Sequence, residues 1–241
     1  MSRCSICGGS TWIIRFNPET KEDTAYPCEC RLERDKRDSI RSKLVKAEIP
    51  PKYWEYTLDN YLTLPIGGSI VTNANTVSIR KLQSFINTPK DFLDDINVLW
   101  IWGRNPNAGH TSLAVIFAVE LLKKGSKVRF IKMQDLISAF TDFDDKKDFF
   151  RQLDSFDVYL IDDAFDTSRC TAAGEYSRIH LYNWISSAIS YDKHFICTSK
   201  VDIPQIDKQF EQSKNVLLKS RISLEFQGTV KKAGDGKTTN V

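Results

Sequence analysis

No apolar run in the 241-residue sequence approaches the roughly 18–20 residues that a membrane-spanning helix needs. The N-terminus also lacks the apolar stretch of a secretory signal, so the expectation is a cytoplasmic protein with no membrane partner. An excess of charge of either sign is missing too. Lys and Arg number 34 against 31 Asp and Glu, and a net charge of +3 is too small by itself to argue for nucleic acid. There is no internal repeat. What remains is ordinary globular composition, 41% hydrophobic and 27% charged, in a chain long enough for one large domain and one small one.

Cysteine is unevenly spread. Cys4 and Cys7 form C-x2-C, followed by Gly8-Gly9; Cys28 and Cys30 then form C-x-C. In a reducing compartment, two close pairs favour a metal over disulfides, and four thiolates suit tetrahedral Zn2+. The glycines let the first knuckle turn tightly. Between the pairs, residues 11–16 (TWIIRF) read as one strand of a small ribbon, which at this size depends on the metal for its stability. Cys170 and Cys197 stand alone and are read as structural.

Residues 31–47 (RLERDKRDSIRSKLVKA) lack Gly and Pro and read as a basic helix stopped by Pro50-Pro51. This helix could contact phosphates or serve as a solvated linker laced with i,i+4 pairs; the residues leave both open. Beyond it, strand-like runs at 98–102, 127–131, 157–161, 194–198 and 222–226 alternate with helical patterns at 76–88, 111–124, 133–142, 175–190 and 205–214. That alternation predicts an α/β fold, a doubly wound parallel sheet with helices on both faces. The domain reading is a zinc-binding region with its basic linker helix at 1–47, an α/β domain at 48–228, and a disordered tail at 229–241.

The strand at 98–102, the loop GRNPNAGHTS from Gly103 to Ser112 and the helix after it have the context of a phosphate-binding loop. The motif GxxxxGK[ST] is missed twice. Five residues separate Gly103 from Gly109, and His110 stands where lysine would reach the β- and γ-phosphates. Gly103, Asn107, Gly109, His110, Thr111 and Ser112 are the candidate nucleotide-binding residues. The strand ending in Asp162-Asp163 has the form of a Walker B segment: Asp162 would orient Mg2+ waters and Asp163 would polarise the attacking water. Ser199, at the end of the strand FICTSK, is a candidate γ-phosphate sensor. Arg221 could reach the nucleotide of a neighbouring subunit. With His110 largely neutral at pH 7, binding of ATP or ADP with Mg2+ is expected to be weak and hydrolysis slow or absent.

CSICGGSTWIIRF, YPCECR, IPPKYWEYTLDNY, the loop, IDD, TS and SR together resemble the DnaC/DnaI-like helicase loaders of phages and bacteria, relatives of the IstB transposition ATPases. The resemblance spans nearly the whole chain. It implies an AAA+ domain binding ATP and single-stranded DNA, and a zinc-binding N-terminal domain contacting a replicative hexameric helicase. It makes Asp162 the Mg2+-associated carboxylate, Asp163 its catalytic neighbour, Thr111 the Mg2+-coordinating hydroxyl and Arg221 an arginine finger acting within a homo-oligomer. A phage or mobile-element origin follows from the same likeness. Lys200 departs from the asparagine such sensors often carry. Two further functions stay open: a non-hydrolysing adaptor that keeps the fold as a scaffold, and an IstB-like transposition regulator that coats duplex DNA.

Overall fold

The computed structural model describes residues 4–61, 65–66, 69–72, 76–104, 109–141, 146–165, 174–219, 221–225, 229–232 and 238–239. They fall into two compact units, Met1–Lys46 and Ala47–Val241.

In the first unit, β1 (Trp12–Asn17) pairs antiparallel with β2 (Glu22–Pro27), Trp12 opposite Pro27 and Asn17 opposite Glu22. Asn17 closes the turn by accepting from the Glu19 N–H at 3.0 Å, and Lys21 takes a left-handed φ of 54° beside it. Helix α1 (Glu29–Lys46) follows, uninterrupted by Gly or Pro and almost wholly solvated. Arg31 lies 4.1 Å above the Trp12 ring and pairs with Asp35 at 3.6 Å, so its first turn is tied to the ribbon and to itself.

In the second unit, five parallel strands form the central sheet: β5 (Val98–Trp102), β6 (Val128–Lys132), β7 (Val158–Asp162), β8 (His194–Ser199) and β9 (Arg221–Glu225). Their spatial order is β6-β7-β8-β5-β9. β5 (VLWIW) and β7 (VYLID) are short, almost wholly apolar runs, the form expected of strands covered on both faces, whereas β6 (VRFIK) and β9 (RISLE) interleave charged and polar residues. Alternation along them splits the core in two. Val98, Trp100, Tyr159, Ile161, Phe195 and Cys197 face a layer containing α6 (Met133–Thr141), α8 (Glu175–Ser190) and α9 (Glu211–Lys219). The opposite residues face α5 (His110–Lys123), where Phe117 packs edge-on against Phe92 of α4 (Pro89–Asp95) at 5.1 Å and against Phe85 of α3 (Thr76–Asn87) at 6.3 Å. Gly125, at φ 107°, closes α5: its N–H reaches the Leu122 carbonyl and that of Ser126 reaches Leu121.

Several sequence expectations are corrected. The pattern at 205–214 is not one helix. Asp202 and Asp207 each cap a short 3-10 turn, Ile203–Gln205 and Lys208–Phe210, and the helix begins only at Glu211. Further helices were not read from the sequence, among them α4, only seven residues long, and α7 (Lys146–Asp154), whose apolar positions are hidden among charges. The segment from Thr229, expected as a disordered tail, supplies β10 (Thr229–Lys232), paired antiparallel with β4 (Ser69–Thr72). Backbone pairing, which composition does not report, provides its order. β3 (Pro65–Ile66) and β11 (Thr238–Thr239) complete that small sheet, and a short helix α2 (Leu58–Tyr61) precedes it.

Candidate functional site

The cysteines of the first unit converge. The Cys4 and Cys28 sulfurs lie 3.9 Å apart, those of Cys7 and Cys30 3.5 Å apart, and all four fall within 4.8 Å of one another. A tetrahedron with Zn–S of about 2.3 Å has edges of about 3.8 Å, so the four could hold one such ion. The local backbone explains the geometry. Gly8 and Gly9 at φ 60° and 98° wrap the first knuckle, with the Gly8 N–H donated to the Cys4 carbonyl. Cys28 lies just before α1 and accepts from the N–H groups of Arg31 and Leu32, which accounts for the tight C-x-C spacing: the second pair straddles a helix N-terminus.

Without a cation the tetrad divides its protons. Burial opposes ionisation of Cys7, but the Gly9 N–H, the Cys30 thiol and the Thr11 N–H outweigh it and bring its pKa down to about 6. Donation to Cys7, followed by burial, pushes Cys30 up to about 12. Cys4 is lowered, chiefly by the Cys7 N–H. The Cys30 N–H favours the Cys28 thiolate, but burial and the Cys7 and Cys4 thiols together exceed it, so Cys28 is raised. Four thiolates at once therefore need a bound metal.

The second cluster lies at the C-terminal ends of the central strands. Gly109 takes a left-handed φ of 77° and turns the chain into α5, whose first bond runs from Leu113 N–H to the Gly109 carbonyl. The first N–H groups of α5 have no carbonyl within the helix and face outward from its N-terminus. Gly103 is tied to the end of β8 by its N–H, donated to the Ser199 carbonyl at 3.2 Å. Asp162 ends β7 on the α5 side of the sheet and is only 9% exposed. Its Oδ1 accepts from Thr111 Oγ1 and from Thr198 Oγ1, each at 2.7 Å. The Asp163 N–H donates to Thr198 Oγ1 at 3.0 Å. One carboxylate with two hydroxyls, beside a helix N-terminus, is chemistry suited to Mg2+ and phosphate.

The structure thus brings Gly103, Gly109, Thr111 and Asp162 to one end of the sheet. Asp163 follows at a left-handed φ of 54°, repeated at Phe165, a strain of about 1–2 kcal/mol for a residue with that side chain. His110 opens α5 and is 8% exposed, while the Ser112 side chain is buried within the fold. Asn107 lies outside the described residues, as does Cys170. Ser199 does not reach Asp162. It stands on the opposite side of the pleat, next to Thr198, and its hydroxyl donates to the Ala164 carbonyl at 2.8 Å. Thr198 makes the contact instead. Sequence alone could not choose between these adjacent hydroxyls; the register, Ile161 opposite Cys197, decides it. Arg221 begins β9 opposite Val98, at the other end of the strands from Asp162, and only its backbone is described.

No family model matches the chain, and no curated protein matches it in sequence. Solved structures do match it. The DnaC helicase loader superposes with a TM-score of 0.53 at 18% identity, covering 74% of this chain and 100% of that one. DnaI gives 0.57 at 15%, over 74% and 95%. AMPPCP-bound DnaA from Aquifex aeolicus gives 0.57 at 19%, over 74% of this chain; the chain spans about half of that protein, 51%. Identities this low show the fold alone: the α/β unit shares the fold of these solved structures. Among the described residues, no helix is long and apolar enough to cross a membrane.

Proposed function

We propose that this protein is a helicase loader that binds a DnaB-type hexameric helicase and helps to place it on single-stranded DNA during replication. The likeness to the DnaC loader over that chain's whole length supports the reading, as does the likeness to DnaI. The observation that carries it is the Thr111–Asp162–Thr198 junction, because an inert scaffold has no need of two hydroxyls held on a buried carboxylate.

In this reading the loop and the α5 N-terminus hold the phosphates of ATP or ADP, and Thr111 and Asp162 hold Mg2+ and its waters. Asp163 orients the attacking water, and Arg221 acts on the nucleotide of a neighbouring copy in a homo-oligomer. His110 gives one hydrogen bond but no permanent charge, so nucleotide binding is weak and hydrolysis slow or absent. A bound metal-nucleotide would supply the conformational signal that a loader transmits. The four cysteines hold one Zn2+. The ribbon and α1 form the helicase contact, where Trp12, Ile14 and Phe16 are exposed along one face of β1.

Capture of a hexameric replicative helicase by the full chain tests this, alongside nucleotide content and ATPase rate with and without helicase and single-stranded DNA. Helicase capture without any nucleotide would favour the adaptor. Failure of capture, with assemblies that grow with duplex length, would favour the transposition regulator.

A further inference from the structure

The site contains a carboxylate, hydroxyls and helix N–H groups, yet the loop from Gly103 to Ser112 has no lysine to meet a polyphosphate. The neighbouring edge strand places one beside it. In the parallel pair β6–β7, Lys132 is the register partner of Asp162, as Ile131 is of Ile161. Partners in adjacent strands lie about 4.8 Å apart across the sheet, and successive side chains alternate between its faces. Ile131 and Ile161 point into the layer of α6, α8 and α9, so Lys132 and Asp162 both stand on the α5 side. The N-terminus of α5 meets that side at Asp162, through the 2.7 Å bond from Thr111 Oγ1. In the order β6-β7-β8-β5, Asp162 therefore has Lys132 on one flank and the strand that leads into Gly103 on the other.

The position is unfavourable for a lysine. β6 ends at Lys132 and α6 begins at the next residue, Met133, where Ser, Thr, Asp or Asn would cap the helix. Lys132 offers the free N–H groups of α6 no acceptor, and its charge meets the positive end of the helix dipole. The fold does not use that charge either. Among the described residues Lys132 forms no ion pair, although Asp162 is its strand partner and Asp135 lies in the first turn of α6. Oδ1 of Asp162 is already taken by the Thr111 and Thr198 hydroxyls. A residue that breaks local rules without an internal gain is expected where function has chosen it.

We propose that Lys132 binds the terminal phosphate of a magnesium–nucleoside triphosphate at this site and supplies the charge that the loop lacks at His110. This rests on the nucleotide-binding reading above. A lysine on a four-carbon stem offers three donors and a permanent charge, and this one is exposed at the rim of the sheet. The loop and the α5 N-terminus hold the inner phosphates. Lys132, on the other flank of Asp162, meets only the outermost one, so it separates triphosphate from diphosphate.

The test is titration of the full chain with fluorescent mant-ATP and, separately, mant-ADP, both with Mg2+. Lys132→Gln should weaken mant-ATP binding about tenfold, roughly one charge-assisted hydrogen bond, and leave mant-ADP within about twofold of wild type. Lys132→Arg should keep mant-ATP within about threefold. Lys123→Gln, at the far end of α5 about 20 Å from its N-terminus, removes one charge without touching the site and should change neither affinity. Because Lys132 is exposed and opposes the α6 dipole, Lys132→Gln should melt no lower than wild type. Wild-type mant-ATP affinity in Lys132→Gln, or equal weakening of mant-ATP and mant-ADP, would overturn the proposal while leaving the nucleotide site standing. Absence of any wild-type binding would overturn both.

Discussion

Replacing Thr198 by valine isolates the junction at Asp162. The two side chains are nearly isosteric, so packing at a residue only 2% exposed is kept while the hydroxyl is lost. Two interactions go with it: the 2.7 Å bond donated to the Asp162 carboxylate and the acceptor for the Asp163 N–H. A hydrogen bond to a charged group contributes about 1.5–3 kcal/mol, and stranding a buried N–H costs about 1–3 kcal/mol. Asp162 keeps its bond from Thr111, so a combined loss of about 3 kcal/mol is expected rather than the full sum. With an m-value near 2 kcal/mol/M, the urea midpoint should fall by about 1.5 M. Tryptophan emission reports it well, since Trp54, Trp100, Trp102 and Trp184 all lie in the α/β unit. Thr198→Ser should restore most of the loss. Thr111→Val, at a half-buried hydroxyl, should cost only about 1 kcal/mol. A Thr198→Val midpoint within 0.3 M of wild type, or a Thr111→Val defect larger than that of Thr198→Val, would refute the arrangement (~0.3 M being about 0.6 kcal/mol at that slope).

Metal analysis of protein purified without chelator should find one Zn2+ per chain, and Cys28→Ser should abolish it while leaving the α/β unit's thermal transition in place. In chelated protein, iodoacetamide should modify Cys7 well before Cys30 at pH 7. A depressed acid group is ionised above its folded pKa, so the Cys7 rate should drop as pH falls through about 6; mass mapping reads both. His110→Lys should tighten Mg-ATP binding about tenfold by adding a charge-assisted contact, measured by titration with fluorescent mant-ATP. A peptide of residues 1–47 loaded with Zn2+ should compete with the full chain for helicase; binding confined to the fragment from residue 48 onward would reverse the assignment.

The sheet was legible because β5 and β7 are apolar runs and the strand-like segments alternate with helical patterns, and the expected bounds at 98–102 and 175–190 coincide with β5 and α8. The cysteine pairs could be read for the same local reason. Pairing between distant segments could not. The order β6-β7-β8-β5-β9, the closure of β4 by β10 and the choice of Thr198 over Ser199 all depend on which strands become neighbours. α4 and α7 escaped because short or charge-rich helices leave a weak periodic signal in sequence.

The strand order also bears on how the chain can be made. β5 is synthesised first among the five, yet its neighbours are β8 and β9; Val98 finds Phe195 and Arg221 only 97 and 123 residues later. At about 5–20 residues per second, a nascent chain carries Val-Leu-Trp-Ile-Trp with both backbone edges unpaired for several seconds. During that interval β6 and β7 are already able to join each other, leaving β5, the strand that leads into Gly103, to be enclosed only later. Such an apolar edge is a template for association with other chains, so the yield of native protein should depend on chaperone capacity and on translation speed between residues 103 and 199.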